Sequence, residues 1–275
     1  VLENSSIGFI GAGNMANSLI RGLLAQGVRA GSLWACDIDE VKLAALQNEC
    51  RINIGTTEQL AQNADVIVLA VKPQGIAEAC IGLASALGDR RPMIISIAAG
   101  INLTQLQSWL GDDSALVRCM PNTPSLIGKG ASGLFASTSV SDEQRSIAKT
   151  IMDAVGMSAW VNEESDIDTV TAVSGSGPAY FFLFMEAMQE SAKEMGLSDE
   201  LSRSLVYQTA IGAAELALSS PEHLAELRRR VTSPGGTTES AIREFENGEL
   251  RALVDRSLKA ARDRSIELAE ESSKK

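Results

Sequence analysis

The residues able to do chemistry in this chain fall into a few glycine- and hydroxyl-rich clusters. Gly11, Gly13 and Ala16 are spaced G-x-G-x-x-A within Ile10-Gly11-Ala12-Gly13-Asn14-Met15-Ala16. A short apolar run over 7–10 precedes them, and an amphipathic stretch with Leu19, Ile20, Leu23 and Leu24 follows. Gly11 permits a tight turn, and Gly13 lets a pyrophosphate approach the backbone. Ala16 lets the helix pack close to the strand, while the helix N-terminus offers free N–H donors and a positive dipole end. A ligand-free strand-to-helix turn is the alternative. The β-α units that follow favour dinucleotide binding.

Asp37 ends the second predicted strand, where a carboxylate commonly binds the adenosine ribose diol. That role favours NADH, because a 2′-phosphate would meet a like charge and Ile38, Asp39 and Glu40 supply no arginine. Capping the next helix is the competing role for Asp37. Ala70-Val71-Lys72-Pro73 and Met120-Pro121-Asn122-Thr123-Pro124 end two further strands, on the sheet edge where ligands bind in such folds. Lys72 could reach a phosphate or ribose, and the prolines stiffen the loop that carries Asn122 and Thr123.

Two later stretches, Ser174-Gly175-Ser176-Gly177-Pro178 and Thr232-Ser233-Pro234-Gly235-Gly236-Thr237-Thr238, each open a predicted helix. Both present backbone N–H groups, hydroxyls and a positive dipole end, which suits a carboxylate or another small anion, although capping alone could account for either. The single histidine, His223, begins an amphipathic segment and reads as a surface residue. No Ser-His-Asp set, metal-ligand cluster or Walker loop is present, so neither a metal site nor a conventional hydroxyl-proton base is expected.

The elements that must position these residues alternate in the first half. Strands are predicted over 7–10, 33–36, 52–54, 65–71, 93–99 and 115–120, with helices over 41–50, 57–63, after Pro73 and over 103–110 between them. This succession marks a doubly wound parallel sheet. Beyond the glycine-rich 128–133 stretch come a strand over 134–137, a helix over 142–155 and a strand over 159–161. The pattern then becomes purely helical: 178–195, 198–218, 221–231, 238–247 and 249–271, with Ser220-Pro221 as an N-cap pair and Gly196 as a helix stop. The fold class is therefore α/β: an N-terminal Rossmann doubly wound, mostly parallel sheet over 1–164, then an all-α C-terminal domain over 165–275. Phe181-Phe182-Leu183-Phe184-Met185 leaves no polar face on its helix, so that helix is either a central core element or a subunit interface. The Ser/Lys tail after Glu270 reads as frayed.

Composition narrows the partners. A formal net charge of -11 and 4% aromatic residues argue against nucleic acid and anionic membranes. The four cysteines (Cys36, Cys50, Cys80, Cys119) have neither C-x-x-C spacing nor histidine neighbours, and read as packing residues in a reducing, cytoplasmic compartment. No apolar run approaches a membrane span.

Taken together, Gly8–Ala16, Ala70–Pro73, Met120–Pro124, Ser174–Tyr180 and above all Ser233–Thr238 resemble the pyrroline-5-carboxylate reductases, nearly end to end. The β-hydroxyacid dehydrogenases share the architecture but carry a catalytic lysine after the second glycine motif. Here 179–185 contains none. The resemblance implies hydride transfer from NADPH or NADH to the C=N bond of 1-pyrroline-5-carboxylate, yielding L-proline. It implies a substrate carboxylate held by Ser233 and the N–H groups of Gly235, Gly236 and Thr237, with Thr238 Oγ on the ring nitrogen. Ser176 would lie near the nicotinamide. Ile10 to Met15 would cradle the pyrophosphate, with Thr57, Ala70, Val71, Lys72 and Pro73 along the ribose and nicotinamide. Asp37 and Asn122 join them as cofactor-binding candidates from their own positions, and Asp37 departs from the neutral residue that many relatives carry there. It further implies an active site shared between two interlocked helical domains, a homodimer and its assembly to a decamer. Other readings are a reductase of another small imine or 2-oxo acid, and a non-catalytic dinucleotide sensor.

Overall fold

The computed structural model describes Leu2 and residues 5–273. These form two compact units, residues 1–176 with 261–275, and residues 177–260.

The first unit is built on β1 (Ile7–Ile10), β2 (Leu33–Cys36), β3 (Asn53–Ile54), β4 (Val66–Leu69), β5 (Met93–Ser96), β6 (Leu116–Met120), β7 (Gly130–Ala136) and β8 (Gly156–Trp160). They form one eight-stranded sheet in the order β3-β2-β1-β4-β5-β6-β7-β8. All neighbours run parallel except β6 and β7, which pair antiparallel. β1, β4 and β5 are buried along their whole length, as strands covered on both faces must be.

Helices cover both sides because alternate strand residues face opposite layers. α1 (Asn14–Ala25), α2 (Glu40–Cys50) and α6 (Asp142–Asp153) bury Leu19, Leu23, Leu46 and Ile151 with Phe9, Val68 and Ile95. α3 (Thr57–Asn63), α4 (Ile76–Leu87) and α5 (Leu103–Leu110) bury Leu60, Leu83 and Leu106 with Ile67, Leu69 and Ile94. Capping boxes fix the entry to three of these helices, at Thr56/Gln59, Asn102/Gln105 and Ser141/Gln144. Pro73 opens a 3-10 turn, Pro73–Gly75, and α4 begins only after it.

Residues 130–133 of the glycine-rich stretch belong to β7, which therefore starts before the 134–137 strand that the sequence predicts. Its glycines permit close packing: a Cβ on Gly133 would lie 2.8 Å from Val170, and one on Gly130 would lie 2.9 Å from the Val155 carbonyl oxygen. α7 (Asp166–Val170) also belongs to this unit, with Ile167 buried. The compact units therefore part at Ser176, later than the 164/165 boundary that the end of the strand pattern suggests. α7 is helical, but its buried side and its ion pairs belong with the sheet.

The second unit comprises α8 (Gly177–Glu194), α9 (Asp199–Ser219), α10 (Leu224–Arg230), α11 (Thr237–Asn247) and the first part of α12 (Leu250–Ser273). Gly196 adopts φ +101° and Leu197 donates to the Ala192 carbonyl, so a left-handed glycine stops α8 as expected. Ser220-Pro221 is not the N-cap pair of the next helix that its composition predicts. Ser220 terminates α9, its Oγ accepts from Glu222 N at 3.2 Å, and α10 starts at Leu224 after His223. α12 runs on to Ser273, so the tail that composition marked as frayed is helical that far; Lys274 and Lys275 lie outside the described residues. The Phe181–Met185 run is not a core element of its own unit, since Phe181 is 69% exposed and Phe182 and Leu183 are also exposed.

Candidate functional site

The glycine loop is shaped by one unavoidable glycine and one open one. Gly11 has φ +101°, and a Cβ there would lie 2.7 Å from the Ala70 carbonyl oxygen. Its N–H donates to Cys36 O at 2.8 Å, so the turn is held between the ends of β2 and β4. Around Gly13, by contrast, a Cβ would meet nothing within 4 Å. Gly13 is the N-cap of α1 and no side chain caps that helix. The first-turn donors of α1 and its positive end thus face open space beside a residue with no Cβ, an arrangement that fits a pyrophosphate. Ala16 is fully buried.

Asp37 does not cap α2. Asp39 does, accepting from Lys42 N at 3.1 Å. Asp37 instead accepts from Ala12 N at 2.6 Å through Oδ2 and from Asp39 N at 2.9 Å through Oδ1. It therefore braces the glycine loop, and Ala12 N–H is not among the loop's free donors. Thr57 is the first residue of α3, its Oγ1 3.8 Å from Cys36 Sγ. Burial pushes the Cys36 thiol up despite that contact, and burial alone pushes Cys80 to about 12. All four cysteines are free and buried, so none is an activated thiolate. Lys72 is exposed and precedes the Pro73 turn.

Asn122 is placed differently from the expectation. It is buried, its Nδ2 donates to Ser174 O at 3.0 Å and its Oδ1 accepts from Ala131 N at 2.9 Å. With both ends of the amide engaged, Asn122 is a brace between β7 and residue 174 rather than a side chain offered to a ligand.

That brace lands on an element missed in the sequence. Ser174-Gly175-Ser176 does not open a helix from a loop. Thr171–Gly175 is a π-helical turn continuing α7, in which Ser176 N donates to Thr171 O at 2.8 Å and Ser174 Oγ donates to Val170 O at 3.0 Å. Such turns insert one extra residue and recur at functional sites. A Cβ on Gly175 would sit 2.6 Å from Met120 Cε, which ties the turn to the end of β6.

In the second unit, Gly235 adopts φ +72° and Gly236 is the N-cap of α11, again with no side-chain cap. The Gly236 N–H closes a turn to Ser233 O at 3.0 Å, and Gly235 N–H donates to Glu239 Oε2 at 2.8 Å. This narrows the expectation for the anion cradle. Thr237 and Thr238 begin α11 with first-turn donors uncapped, Gly236 is committed to its turn, and Gly235 already carries an internal carboxylate. Ser233, Gly235 and Thr237 are exposed and Thr238 half-buried.

One unit thus holds a glycine turn before an uncapped helix start, and the other a second uncapped helix start at Gly236; among the described residues no group of three or more His, Cys, Asp or Glu could hold a metal ion. Among known proteins, the pyrroline-5-carboxylate reductase of Pseudomonas aeruginosa is 51% identical over 98% of this chain and 99% of its own length. The chain belongs to the pyrroline-5-carboxylate reductase family. Residues 164–268 match the family model for pyrroline-5-carboxylate reductase dimerisation, and residues 6–100 match that for coenzyme F420-dependent NADP oxidoreductases. Among solved structures, the reductase from Coxiella burnetii superposes with a TM-score of 0.94 at 44% identity, over 97% of this chain and 99% of that one. The Plasmodium falciparum pyrroline carboxylate reductase, solved with NADP bound, gives a TM-score of 0.84 at 29% identity over 97% and 99%.

Proposed function

We propose that this chain reduces 1-pyrroline-5-carboxylate to L-proline with NADPH or NADH, the last step of proline synthesis. The observation that carries the reading is full-length similarity to named reductases, joined to a dinucleotide cradle whose fit the structure supports at Gly11, Gly13 and the uncapped start of α1.

When bound, the reduced nicotinamide supplies the hydride. The protein's own part is to bind, orient and exclude water. Residues Ile10, Gly11, Gly13, Asn14 and Met15 would hold the pyrophosphate, with Ala12 N–H committed to Asp37. Asp37, Thr57, Ala70, Val71, Lys72 and Pro73 would lie along the remainder, and Ser176 beside the nicotinamide. On the substrate side, Ser233 and the N–H groups of Gly235 and Thr237 would hold the carboxylate. Thr238 Oγ would hold the ring nitrogen, keeping the C=N carbon in one orientation.

Thr238→Ala is expected to lower kcat/KM for pyrroline-5-carboxylate by about tenfold to a hundredfold, the range for losing a hydrogen bond to a charged group. Cofactor Kd should stay within about twofold, since the hydroxyl acts on the substrate. Cofactor oxidation followed by absorbance measures the first, with 1-piperideine-2-carboxylate and a 2-oxo acid as alternative substrates. Full activity of the variant removes Thr238 from the reaction. Asp37 bears on cofactor choice. Asp37→Ser is expected to shift the ratio of kcat/KM for NADPH over NADH upward by about tenfold, because a carboxylate repels a 2′-phosphate. An unchanged ratio would confine Asp37 to bracing Ala12.

A homo-oligomer fits the exposed apolar surface of the second unit and the dimerisation model that residues 164–268 match. Phe181, Phe182 and Leu183 are the residues we place in a homodimer interface, with further assembly to a decamer. Among the described residues no helix is long and apolar enough to cross a membrane, and the four free, buried cysteines suit a reducing cytoplasm.

A further inference from the structure

We propose that Glu239 is a built-in competitor for the substrate carboxylate, setting how tightly an anionic substrate binds. This rests on the reading that loop 233–238 holds that carboxylate. Glu239 Oε2 accepts the Gly235 N–H at 2.8 Å, so a carboxylate of the chain itself occupies one of the donors assigned to the substrate. The loop is built to present that donor. Gly235, at φ +72°, gives its N–H to Glu239 and not to the turn, while the next N–H is consumed by the turn to Ser233 O. Thr237 and Thr238 then begin α11 uncapped. Glu239 lies one step further into the same helical turn.

Two consequences follow from its charge and position. An incoming carboxylate must displace Glu239 from Gly235 N–H, and must settle beside a like charge that stays within the first turn of α11. The favourable helix dipole is therefore already partly neutralised before substrate arrives. Both effects weaken binding. Neither touches the hydride-transfer geometry at the C=N bond, so KM should change without kcat. Glu239 and Gly235 are both exposed, which makes the bond easy to exchange and its effect modest and sensitive to salt. Glu239 also sits where a helix-capping carboxylate belongs, so the alternative is a purely structural cap.

The test compares the full-length wild type with Glu239→Ala, Glu239→Gln and Thr238→Ala, measuring kcat, KM for pyrroline-5-carboxylate, KM for cofactor and Tm. Glu239→Ala is expected to lower substrate KM by about two- to fivefold at low ionic strength, with kcat and cofactor KM unchanged. The gap from wild type should close as salt is added. Glu239→Gln keeps an acceptor for Gly235 N–H without the charge and should fall between them, even if Glu239→Ala loses stability as a cap. A structural cap would move Tm but give no salt-dependent fall in KM. Unchanged or raised substrate KM in both Glu239 variants, with Thr238→Ala still raising it, overturns the competition and leaves the loop reading standing. If Thr238→Ala also leaves KM and kcat unchanged, the loop reading itself is overturned, and the competition with it.

Discussion

Gly11→Ala is expected to raise cofactor KM by more than about tenfold and to lower Tm measurably. Two costs combine. An alanine at φ +101° sits in a region that L-residues adopt at a cost of about 1–2 kcal/mol. Its Cβ would also lie 2.7 Å from the Ala70 carbonyl oxygen, which is backbone and cannot rotate away. Ala70 cannot easily retreat either, because its N–H donates to Ile10 O at 2.8 Å and so couples β4 to β1. Relief must come from moving the loop, at a combined cost of about 2–4 kcal/mol. That movement breaks the Gly11 N–H bond to Cys36 O and shifts the start of α1, where the pyrophosphate donors are.

Gly13→Ala separates folding from binding. Gly13 has φ -73° and ψ -176°, which alanine adopts freely, and a Cβ there would meet nothing. Its Tm should match the wild type, while its cofactor KM rises if the phosphates approach that spot. Steady-state kinetics with NADPH and NADH, beside thermal melts, reads both. Wild-type Tm and cofactor KM in Gly11→Ala would show that the turn has slack which its geometry denies.

The contrast between these glycines shows what the sequence carried and what it did not. G-x-G-x-x-A spacing after an apolar run is enough to locate the strand, turn and helix of β1 and α1, because steric demands at Gly11 and Ala16 permit few residue types. The alternation of strands and helices was legible for the same kind of reason: β1, β4 and β5 are covered on both faces and must be apolar throughout. Local polar choices were less legible. Asp37 and Asp39 both stand before α2, and only three-dimensional reach decides that Asp39 caps it while Asp37 turns back to Ala12. Ser174-Gly175-Ser176 has the composition of a loop, yet tertiary contacts at Met120 and Asn122 hold it in a π-turn. In β7, Gly130 and Gly133 let neighbours approach, so the strand begins before the 134–137 run that the sequence predicts. Gly235 N–H carries Glu239 because the first turn of α11 brings the residues together, which spacing alone does not reveal.

The residue most completely missed carries the second large effect. Arg118 lies within the otherwise apolar strand Leu116–Met120, and its side chain is 5% exposed. Its Nη1 is 3.1 Å from Glu164 Oε1 and its Nη2 3.7 Å from Asp168 Oδ1. Glu164 Oε1 also accepts from Leu103 N at 2.7 Å, and Asp168 Oδ1 accepts from Ser265 Oγ at 2.7 Å. One guanidinium thereby joins β6, the start of α5, α7 and the end of α12. Arg118→Met would strand two carboxylates and is expected to cost about 3–5 kcal/mol, because breaking a buried pair leaves uncompensated charge. Over a unit of this size that corresponds to a fall in Tm of about 10 °C. Arg118→Lys should recover little, since a single ammonium cannot span both carboxylates as the planar fork does. The triple substitution Arg118→Met, Glu164→Gln, Asp168→Asn should recover more, because it removes the stranded charges along with the cation. The same clasp anchors Asp168 immediately before the π-turn that delivers Ser176. Arg118→Met held below its melting temperature should therefore lower kcat more than it raises cofactor KM. Thermal melts of the three variants against steady-state kinetics decide the matter. A Tm within about 2 °C of wild type for Arg118→Met would mean that the two carboxylates find other partners, and that the clasp holds nothing together.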